Sequence, residues 1–332
     1  MREQLRGVNL GGWLVLEPWM TPSLFAGTGA KDEYTFMTTP DAAPRLRRHH
    51  ETFITDDDFA WIGDQGLDLV RLPVGHWVLH SDPPYVAAAD ILDAAMDSAE
   101  RYGLKVLLDL HAVSGSQNGR DHSGKVGPRQ WYTEREHRNH TYRALAELAR
   151  RYRDHPALWG IELVNEPTDW RVWHLWHFHR TAYRRMAEIV RPGTHLVFSD
   201  GYLPWLFRGT IRGHEDIPVV MDTHLYQCFF PWDLRLTYEQ QLVRARRRSR
   251  LIRWLTRAHP VLVGEWSAAL YSTAYAGRGD EARRAYLEAQ LEGYAGAYGW
   301  CYWSYRTEQP DEWNFRHLVD TGILRLPDRV RS

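Results

Sequence analysis

The feature that most constrains the fold is a regular alternation of short apolar segments with longer amphipathic ones. Eight apolar runs rich in aliphatic and β-branched residues recur at 5–9, 67–72, 105–110, 159–165, 194–199, 218–226, 261–266 and 299–304. Segments with helical periodicity lie between most of them, for example 87–102, 133–153, 173–190, 238–258 and 280–297. Strands that alternate with helices form parallel sheets. Eight such units predict an α/β fold, a closed (β/α)8 TIM barrel rather than an open sheet.

The whole chain, residues 1–332, is predicted to form a single domain, because a barrel of this class commonly uses about 250 residues or more. The longest gap between strands, 27–55, is polar and contains Gly and Pro. We expect it to be a loop or lid at the C-terminal face of the barrel. The glycines of GVNLGGW (7–13) lack the G-x-G-x-x-G spacing that marks a dinucleotide-binding turn.

Charge and hydropathy narrow the range of partners. The chain carries 41 basic and 42 acidic residues, so no global charge attracts nucleic acid or an anionic membrane. The basic run RARRRSR (244–250) is interpreted as a solvated helix face. No stretch reaches the roughly 18 apolar residues of a membrane span, and no apolar leader opens the chain. We therefore expect a cytoplasmic protein; the sequence leaves its oligomeric state open.

Polar side chains end most of the predicted strands. In a (β/α)8 barrel, functional residues gather at the C-terminal ends of the strands. The residues at those ends, or in the loop directly after them, are Glu17, Arg71, His111, Asn165, Glu166, His224, Tyr226, Glu265 and Trp303. Their number and mutual complementarity predict a functional site at this end of the barrel.

Two carboxylates in this set are suited to cleaving an acetal. Glu166 (LVNEP) and Glu265 (LVGEW) end the fourth and seventh strands and should face each other across the barrel mouth. Two carboxyl groups about 5–5.5 Å apart cleave a glycosidic bond with retention, one as acid/base and the other as nucleophile. A glutamate held by Arg71 and a tyrosine hydroxyl should have a lowered pKa and act as nucleophile, but the pattern leaves the assignment open. Glu162 and Asp109 are expected to be buried beside a cation.

Seven motifs then carry a resemblance to a known family. They are RGVNLGGWLVLEPWMTPSLF (6–25), VRLPVGHW (70–77), LLDLHAVSGSQNGRDHSG (107–124), GIELVNEP (160–167), DTHLYQCF (222–229), VGEWSAAL (263–270) and GWCYWSY (299–305). Because these motifs occur in this order, the chain resembles glycoside hydrolase family 5. Within that family it resembles the exo-β-1,3-glucanase branch best known from fungi. The resemblance implies Glu166 as acid/base and Glu265 as nucleophile, with no cofactor.

The resemblance also implies the surroundings of these two glutamates. It places around them Arg71, His111, Asn165, His224, Tyr226 and Trp303. It further implies that Glu17 and Asp121 hold the hydroxyls of a terminal glucose, which closes the pocket and makes the enzyme act from the non-reducing end. The implied substrate is a β-glucan oligosaccharide or a β-glucoside.

The chain departs from this branch at the pocket entrance. Where such glucanases typically read N-G-F-D-N, this sequence reads N-G-R-D-H at 118–122. Arg120 thus replaces one aromatic residue of the entrance clamp, Phe229 supplies the other half, and His122 stands where an asparagine is usual. The alternatives are therefore a β-glucosidase acting on glucosides with a non-sugar aglycone (lipid or aromatic) and a catalytically silent carbohydrate-binding barrel.

Two further site types are disfavoured. His174, His177 and His179 could suggest a metal, but the interleaved Trp and Phe indicate helix packing, and we predict no metal site there. A phosphate-handling barrel would carry a glycine-rich loop after strands seven and eight, and GEWSAAL and YWSYRTEQP offer none.

Overall fold

Eight parallel strands form one closed barrel. The computed structural model describes residues 4–169 and 171–326. The strands are hydrogen-bonded in chain order, and β8 closes the barrel by pairing with β1, Leu5 opposite Gly299. They are β1 Leu5–Asn9, β2 Leu69–Gly75, β3 Lys105–Ala112, β4 Leu158–Glu162, β5 His195–Ser199, β6 Val219–His224, β7 Val261–Glu265 and β8 Gly299–Tyr302. The predicted (β/α)8 TIM barrel and all eight predicted strands are confirmed.

Helices cover the outside of the barrel. The α-helices are α1 Pro22–Phe25, α2 Glu33–Phe36, α3 Ala42–Thr52, α4 Asp56–Asp64, α5 Ala89–Arg101, α6 Gln130–Thr133, α7 Arg135–Tyr152, α8 Val172–Ala187, α9 Pro204–Phe207, α10 Tyr238–Leu255, α11 Gly279–Gly293 and α12 Phe315–Asp320. Turns of 3₁₀ helix span Asp121–Ser123, Asp233–Arg235 and Ser272–Tyr275. The five predicted helices correspond to α5, α7, α8, α10 and α11. No helix in the described ranges has the length and apolar character needed to cross a membrane.

The interior of the barrel is apolar at its base and charged above it. The base is a layer of side chains from seven strands, namely Leu69, Leu107, Trp159, Val197, Val220, Leu262 and Cys301. Because side chains alternate along a strand, residues two positions further on point inward again. On β2, β3 and β6 these residues are Arg71, Asp109 and Asp222, and all three are fully buried. Strand alternation therefore places charge directly beneath the barrel mouth.

Gly264 allows β7 to approach this charged layer. A Cβ atom at this position would lie 2.0 Å from Asp222 Oδ2. The backbone N–H of Gly264 instead donates to Asp222 Oδ1 at 2.7 Å. A glycine is required here, and the close approach fixes the backbone position of the next residue, Glu265.

The segment between β1 and β2 is not the loop or lid that its composition suggested. It contains α2 and α3, and Asp32 begins α2 with a capping box to Thr35. Phe36 is fully buried and packs on Phe25, with ring centroids 5.0 Å apart. The prediction was wrong because it rested on the mean polarity of the segment. A few apolar residues within it are buried against one another and order the chain. These form a separate small core of Leu16, Phe25, Phe36, Ala42 and Leu46.

Truncating Phe36 tests whether this small core is rigid. We expect Phe36→Ala to lower the free energy of unfolding by about 3–5 kcal/mol, since a buried ring is replaced by a cavity. Met37, which is only half-buried, serves as the control, and Met37→Ala should cost less than about 1.5 kcal/mol. Urea unfolding followed by circular dichroism measures both. Equal effects of the two substitutions would show that the segment does not pack as a core.

Candidate active site

Arg71, on β2, lies at the centre of the polar network beneath the barrel mouth. Its guanidinium donates to Glu162 at 2.8 Å and to Glu265 at 2.9 Å. It also donates to the side-chain oxygen of Asn165 at 2.8 Å and lies 3.1 Å from Asp109. Burial opposes the charge, but the surrounding carboxylates hold the pKa of Arg71 above its ordinary value. Glu162 and Asp109 are therefore buried beside a cation, as predicted.

Glu265 ends β7 and is held by donors on both carboxyl oxygens. Arg71 Nη1 donates to Oε1 at 2.9 Å, and the Tyr226 hydroxyl donates to Oε2 at 2.9 Å. The Nδ1 atom of His224 lies 3.3 Å from Oε2. These contacts orient the carboxylate rigidly at the C-terminal end of its strand.

Glu166 occupies a strained backbone position after β4. The strand ends at Glu162, earlier than predicted, and Glu166 has a φ of 41°. Few non-glycine residues adopt positive φ, and those that do cluster at functional sites. The carboxyl group contacts three titratable side chains: His224 Nδ1 at 2.7 Å, His122 Nε2 at 3.3 Å and the Tyr202 hydroxyl, which donates a short hydrogen bond.

The two glutamates lie close enough to act on one atom between them. One carboxyl oxygen of Glu166, one of Glu265 and a ring nitrogen of His224 all lie within 4.8 Å of one another. Both glutamate side chains are almost fully buried, with 7% and 6% exposed. The sequence predicted that the two carboxylates face each other, and the structure brings them together at the barrel mouth.

The two glutamates and His224 titrate as one network. Burial opposes ionisation of Glu166, but hydrogen bonds from His122 and His224 hold its pKa well below the ordinary value. Burial raises the pKa of Glu265 to about 7, against the lowering by His224 and Arg71. The pKa of His224 is raised despite its burial, mainly by the charges of Glu265 and Asp222. From the sequence we expected a lowered pKa for the glutamate held by Arg71 and a tyrosine; Glu265 makes these contacts, but burial and the charge of Glu166 raise its pKa instead.

One wall of the mouth is formed by Glu17 and His122. Glu17 accepts from Trp19 Nε1 at 2.8 Å through Oε2, while its buried Oε1 has no hydrogen-bond partner. Burial raises the pKa of Glu17 to about 8. Burial alone would lower the pKa of His122, but the hydrogen bond and charge of Glu166, with Glu17 and Asp121, raise it to about 9. A cationic imidazole therefore lies between two carboxyl groups at neutral pH.

The adjoining part of the mouth is aromatic, and its His111 ring packs on His122 with centroids 5.5 Å apart. The Trp303 ring stacks on His111, with centroids 5.4 Å apart and an angle of 8° between the planes. Asp109 contacts His111 Nδ1 at 2.6 Å. Burial nevertheless lowers the pKa of His111 to about 4, so the ring is neutral. Phe229 is 52% exposed at the entrance, where its ring packs on Trp313. The site thus offers flat apolar faces beside the carboxylates.

These residues line one cavity of about 260 Å³. Ten of the twelve predicted site residues line it, and the other two, Arg71 and His224, lie beneath its floor. The lining residues predicted from the sequence are Glu17, His111, Asp121, His122, Asn165, Glu166, Tyr226, Phe229, Glu265 and Trp303.

Four other residues line the cavity: Arg120, which the sequence placed at the entrance, and Trp19, Tyr202 and Trp313, which were missed. Tyr202 follows β5 in the turn SDGY, so the rule that polar residues end the strands would have found it. Trp19 lies within the first motif, beside Glu17. Trp313 lies in the loop after β8, and no sequence pattern marked it.

Side chains that can ligate a metal ion occur in the network at the barrel mouth and in the histidine run on α8. Two groups of three ligating side chains occur in the network, Glu162 with Asp222 and His224, and Glu166 with His224 and Glu265. Their members already contact one another or Arg71. The histidine run on α8 forms no such group among the described residues. His179 is instead buried and contacts the carbonyl oxygen of Ser199 at 3.1 Å.

A (β/α)8 barrel with two buried, adjacent carboxyl groups and aromatic walls at its mouth defines a glycoside hydrolase. The sequence profile of the cellulase family (glycosyl hydrolase family 5) matches residues 35–309. The chain belongs to glycoside hydrolase family 5.

Relatives and solved structures agree with this family. The chain is 36% identical to a probable glucan 1,3-beta-glucosidase A of Aspergillus fumigatus, over 97% of this chain and 88% of the relative. It is 33% identical to a glucan 1,3-beta-glucosidase of Blumeria graminis, over 98% and 87% of the two chains. The crystal structure of a rutinosidase from Aspergillus niger superposes with a TM-score of 0.84 at 21% identity, over 96% of this chain and 97% of the other. The rutinosidase shares the fold.

The expected cytoplasmic location is corrected by these relatives. It rested on the lack of an apolar leader and of a membrane span in the sequence. The fungal relatives are named for glucan, a polysaccharide, and not for a small intracellular substrate. The prediction was therefore wrong.

The raised pKa of His122 predicts a pH dependence of stability. Below pH 6.5 the imidazole is protonated in both the folded and the unfolded chain, so its contribution to the stability of the fold is fully present. As pH rises from 6.5 to about 9, only the folded chain keeps the proton, and up to about 3 kcal/mol of the free energy of unfolding is lost progressively. His122→Asn should flatten this loss, whereas the exposed control His80→Asn should not. Urea unfolding at pH 6, 7.5 and 9 provides the measurement; parallel pH profiles for His122→Asn and the parent protein would contradict the shift.

Proposed function

We propose that this protein is a retaining β-glucosidase that removes glucose from the non-reducing end of β-1,3-linked glucans, with Glu166 as acid/base and Glu265 as nucleophile. The observation that carries the proposal is the distance between the two carboxyl groups, whose nearest oxygens lie within 4.8 Å. Retaining glycosidases hold their carboxyl groups about 5–5.5 Å apart, whereas inverting enzymes leave about 6.5–9.5 Å for a water molecule.

The partners of each glutamate support these roles. Glu265 accepts from Arg71, a permanent cation, and from Tyr226, and both contacts stabilise its ionised form. Glu166 contacts His122 and His224, both of which carry exchangeable protons. The acid/base must lose and regain a proton in every cycle. Glu166 contacts two imidazoles that can resupply one, whereas Glu265 has only His224 nearby, at the longer distance of 3.3 Å.

The reaction then follows in two displacements. Glu265 attacks the anomeric carbon, the bond to the leaving oxygen breaks, and Glu166 gives its proton to that oxygen. In the second step water attacks the same carbon, Glu166 takes the proton from water, and the bond to Glu265 breaks. The sugar is released with its original anomeric configuration and both glutamates return to their starting states.

The proton that Glu166 needs is available within the network. His224 Nδ1 lies 2.7 Å from Glu166 Oε1 and 3.3 Å from Glu265 Oε2, so it faces both carboxyl groups. In the free enzyme the protons reside mainly on His224 and, below pH 7, on Glu265. Transfer to Glu166 leaves Glu265 ionised for attack. His224 is therefore proposed as the relay that sets the starting protonation.

The walls of the cavity suit a single terminal sugar. The free Oε1 of Glu17 and the side chains of Asp121 and Asn165 offer hydrogen-bonding partners to sugar hydroxyls. Trp303 offers a flat apolar face beside them. Hydroxyls that meet buried polar groups fix one orientation of the ring. This arrangement favours removal of one glucose at a time rather than cleavage within a chain.

Removing either glutamate separates the two roles. Glu265→Ala should lower turnover at least about 10³-fold, because no covalent intermediate can form. Glu166→Ala should keep the first step on a nitrophenyl β-glucoside, whose leaving group needs no proton, and azide should restore turnover and give the β-glycosyl azide. Product configuration by NMR is the readout. An α-azide from Glu166→Ala would exchange the two assignments.

A substrate panel tests the linkage. The panel contains β-1,3- and β-1,4-linked glucose oligomers, each reduced and unreduced, and aryl β-glucosides. We expect the enzyme to release single glucose units from the β-1,3 oligomers. Glu17→Ala should weaken this release at least about 10-fold. Asp169→Asn, outside the lining of the cavity, is the matched control. Cleavage of aryl glucosides without cleavage of oligomers would move the substrate to glucosides with a non-sugar aglycone. Sugar binding without any cleavage would indicate a binding barrel.

A further inference from the structure

A second polar cluster lies away from the barrel mouth, in the loop after β2. The side chain of His76 is only 4% exposed, yet its Nδ1 atom has no hydrogen-bond partner. Buried polar atoms in proteins are nearly always satisfied by protein, water or an ion. The Nδ1 atom of His76 therefore calls for a water molecule or an ion as its partner, and the neighbouring side chains decide which.

The neighbours of His76 supply two more ligating atoms. His140, on α7, packs perpendicular to His76 with ring centroids 4.9 Å apart, and its Nδ1 atom also lacks a partner. Asp82 Oδ2 lies 3.5 Å from His76 Nδ1. One ligating atom from each of the three residues lies within 4.8 Å of the others. Donors around one zinc ion stand about 3.3 Å apart, and the half-exposed Asp82 carboxylate is free to close this gap.

The chemistry of the three side chains suits a transition metal. The ring nitrogens of His76 and His140 and the carboxylate of Asp82 form one group of nitrogen and oxygen donors. Two imidazoles and one carboxylate are ligands of the zinc class, whereas Mg²⁺ and Ca²⁺ prefer oxygen alone.

We propose that His76, Asp82 and His140 bind one divalent transition-metal ion of the zinc class. The ion would tie the loop after β2 to α7. His76 and Asp82 line a cleft of about 420 Å³, which leaves a coordination position open to water or a small ligand. None of the three residues lines the catalytic cavity. The site is therefore independent of the proposed hydrolysis and serves to fix the surrounding structure.

Zinc binding to the full-length, untagged protein tests the proposal. Isothermal titration with zinc chloride should show one ion per chain, and thermal unfolding should shift upward with zinc because only the folded chain holds the site. His140→Ala and Asp82→Asn should each weaken binding at least about 10-fold. Magnesium and calcium should give no shift. Both changes affect partly exposed residues, which limits effects on folding.

Two controls assign the ion to this cluster. His80, an exposed histidine in the same loop region, is the matched control, and His80→Ala should bind zinc like the parent protein. Glu265→Gln, which removes a ligand at the barrel mouth, should also keep the zinc response. A response that is lost in Glu265→Gln and kept in His140→Ala would place the ion in the catalytic cavity and overturn the proposal, as would the absence of any zinc response.

Discussion

The buried charge of Arg71 is the constraint on which the rest of the site depends. A guanidinium without exposure to water is tolerated only when carboxylates and acceptors satisfy its donors. The barrel meets this requirement with Asp109 and Glu162 from below and with Asn165 and Glu265 from above. The same contacts that make the charge tolerable also orient the residues that face the substrate. Stability and function therefore share one set of interactions, and neither can change without the other.

Arg71 also divides the site into two halves with different behaviour. On one side, Glu265 accepts hydrogen bonds from Arg71 and Tyr226, and His224 lies at the longer distance of 3.3 Å. On the far side, Glu166 is surrounded by imidazoles, and its backbone is held at positive φ after the strand has ended. Glu265 is thus held mainly by a permanent cation and a tyrosine, and Glu166 mainly by groups that exchange protons. Retaining hydrolysis needs this asymmetry, since a nucleophile must stay in place while an acid/base changes state twice.

Sequence patterns predicted the parts of the molecule that follow regular periods. The eight strands repeat a simple alternation, and residues at their ends, including Glu166 and Glu265, must meet at one face of a closed barrel. The helix at Ala42–Thr52 was missed because its burial depends on a few apolar contacts within a polar segment. Trp313 was missed because it reaches the cavity from a loop. The pKa of Glu265 could not be anticipated, since burial and two cations oppose each other and only coordinates show the balance.

His122 has a consequence for how enzymes of this kind can diverge. It contacts Glu166 from a 3₁₀ turn that belongs to no barrel strand and makes no contact with Arg71 that the structure records. A substitution at this position would change the hydrogen bonding and the charge around Glu166 while leaving the contacts of Arg71 in place. The charge beside Glu166 and the ion pairs beneath the barrel mouth therefore belong to separate parts of the chain. The turn can vary in sequence while the buried contacts of the barrel strands are kept.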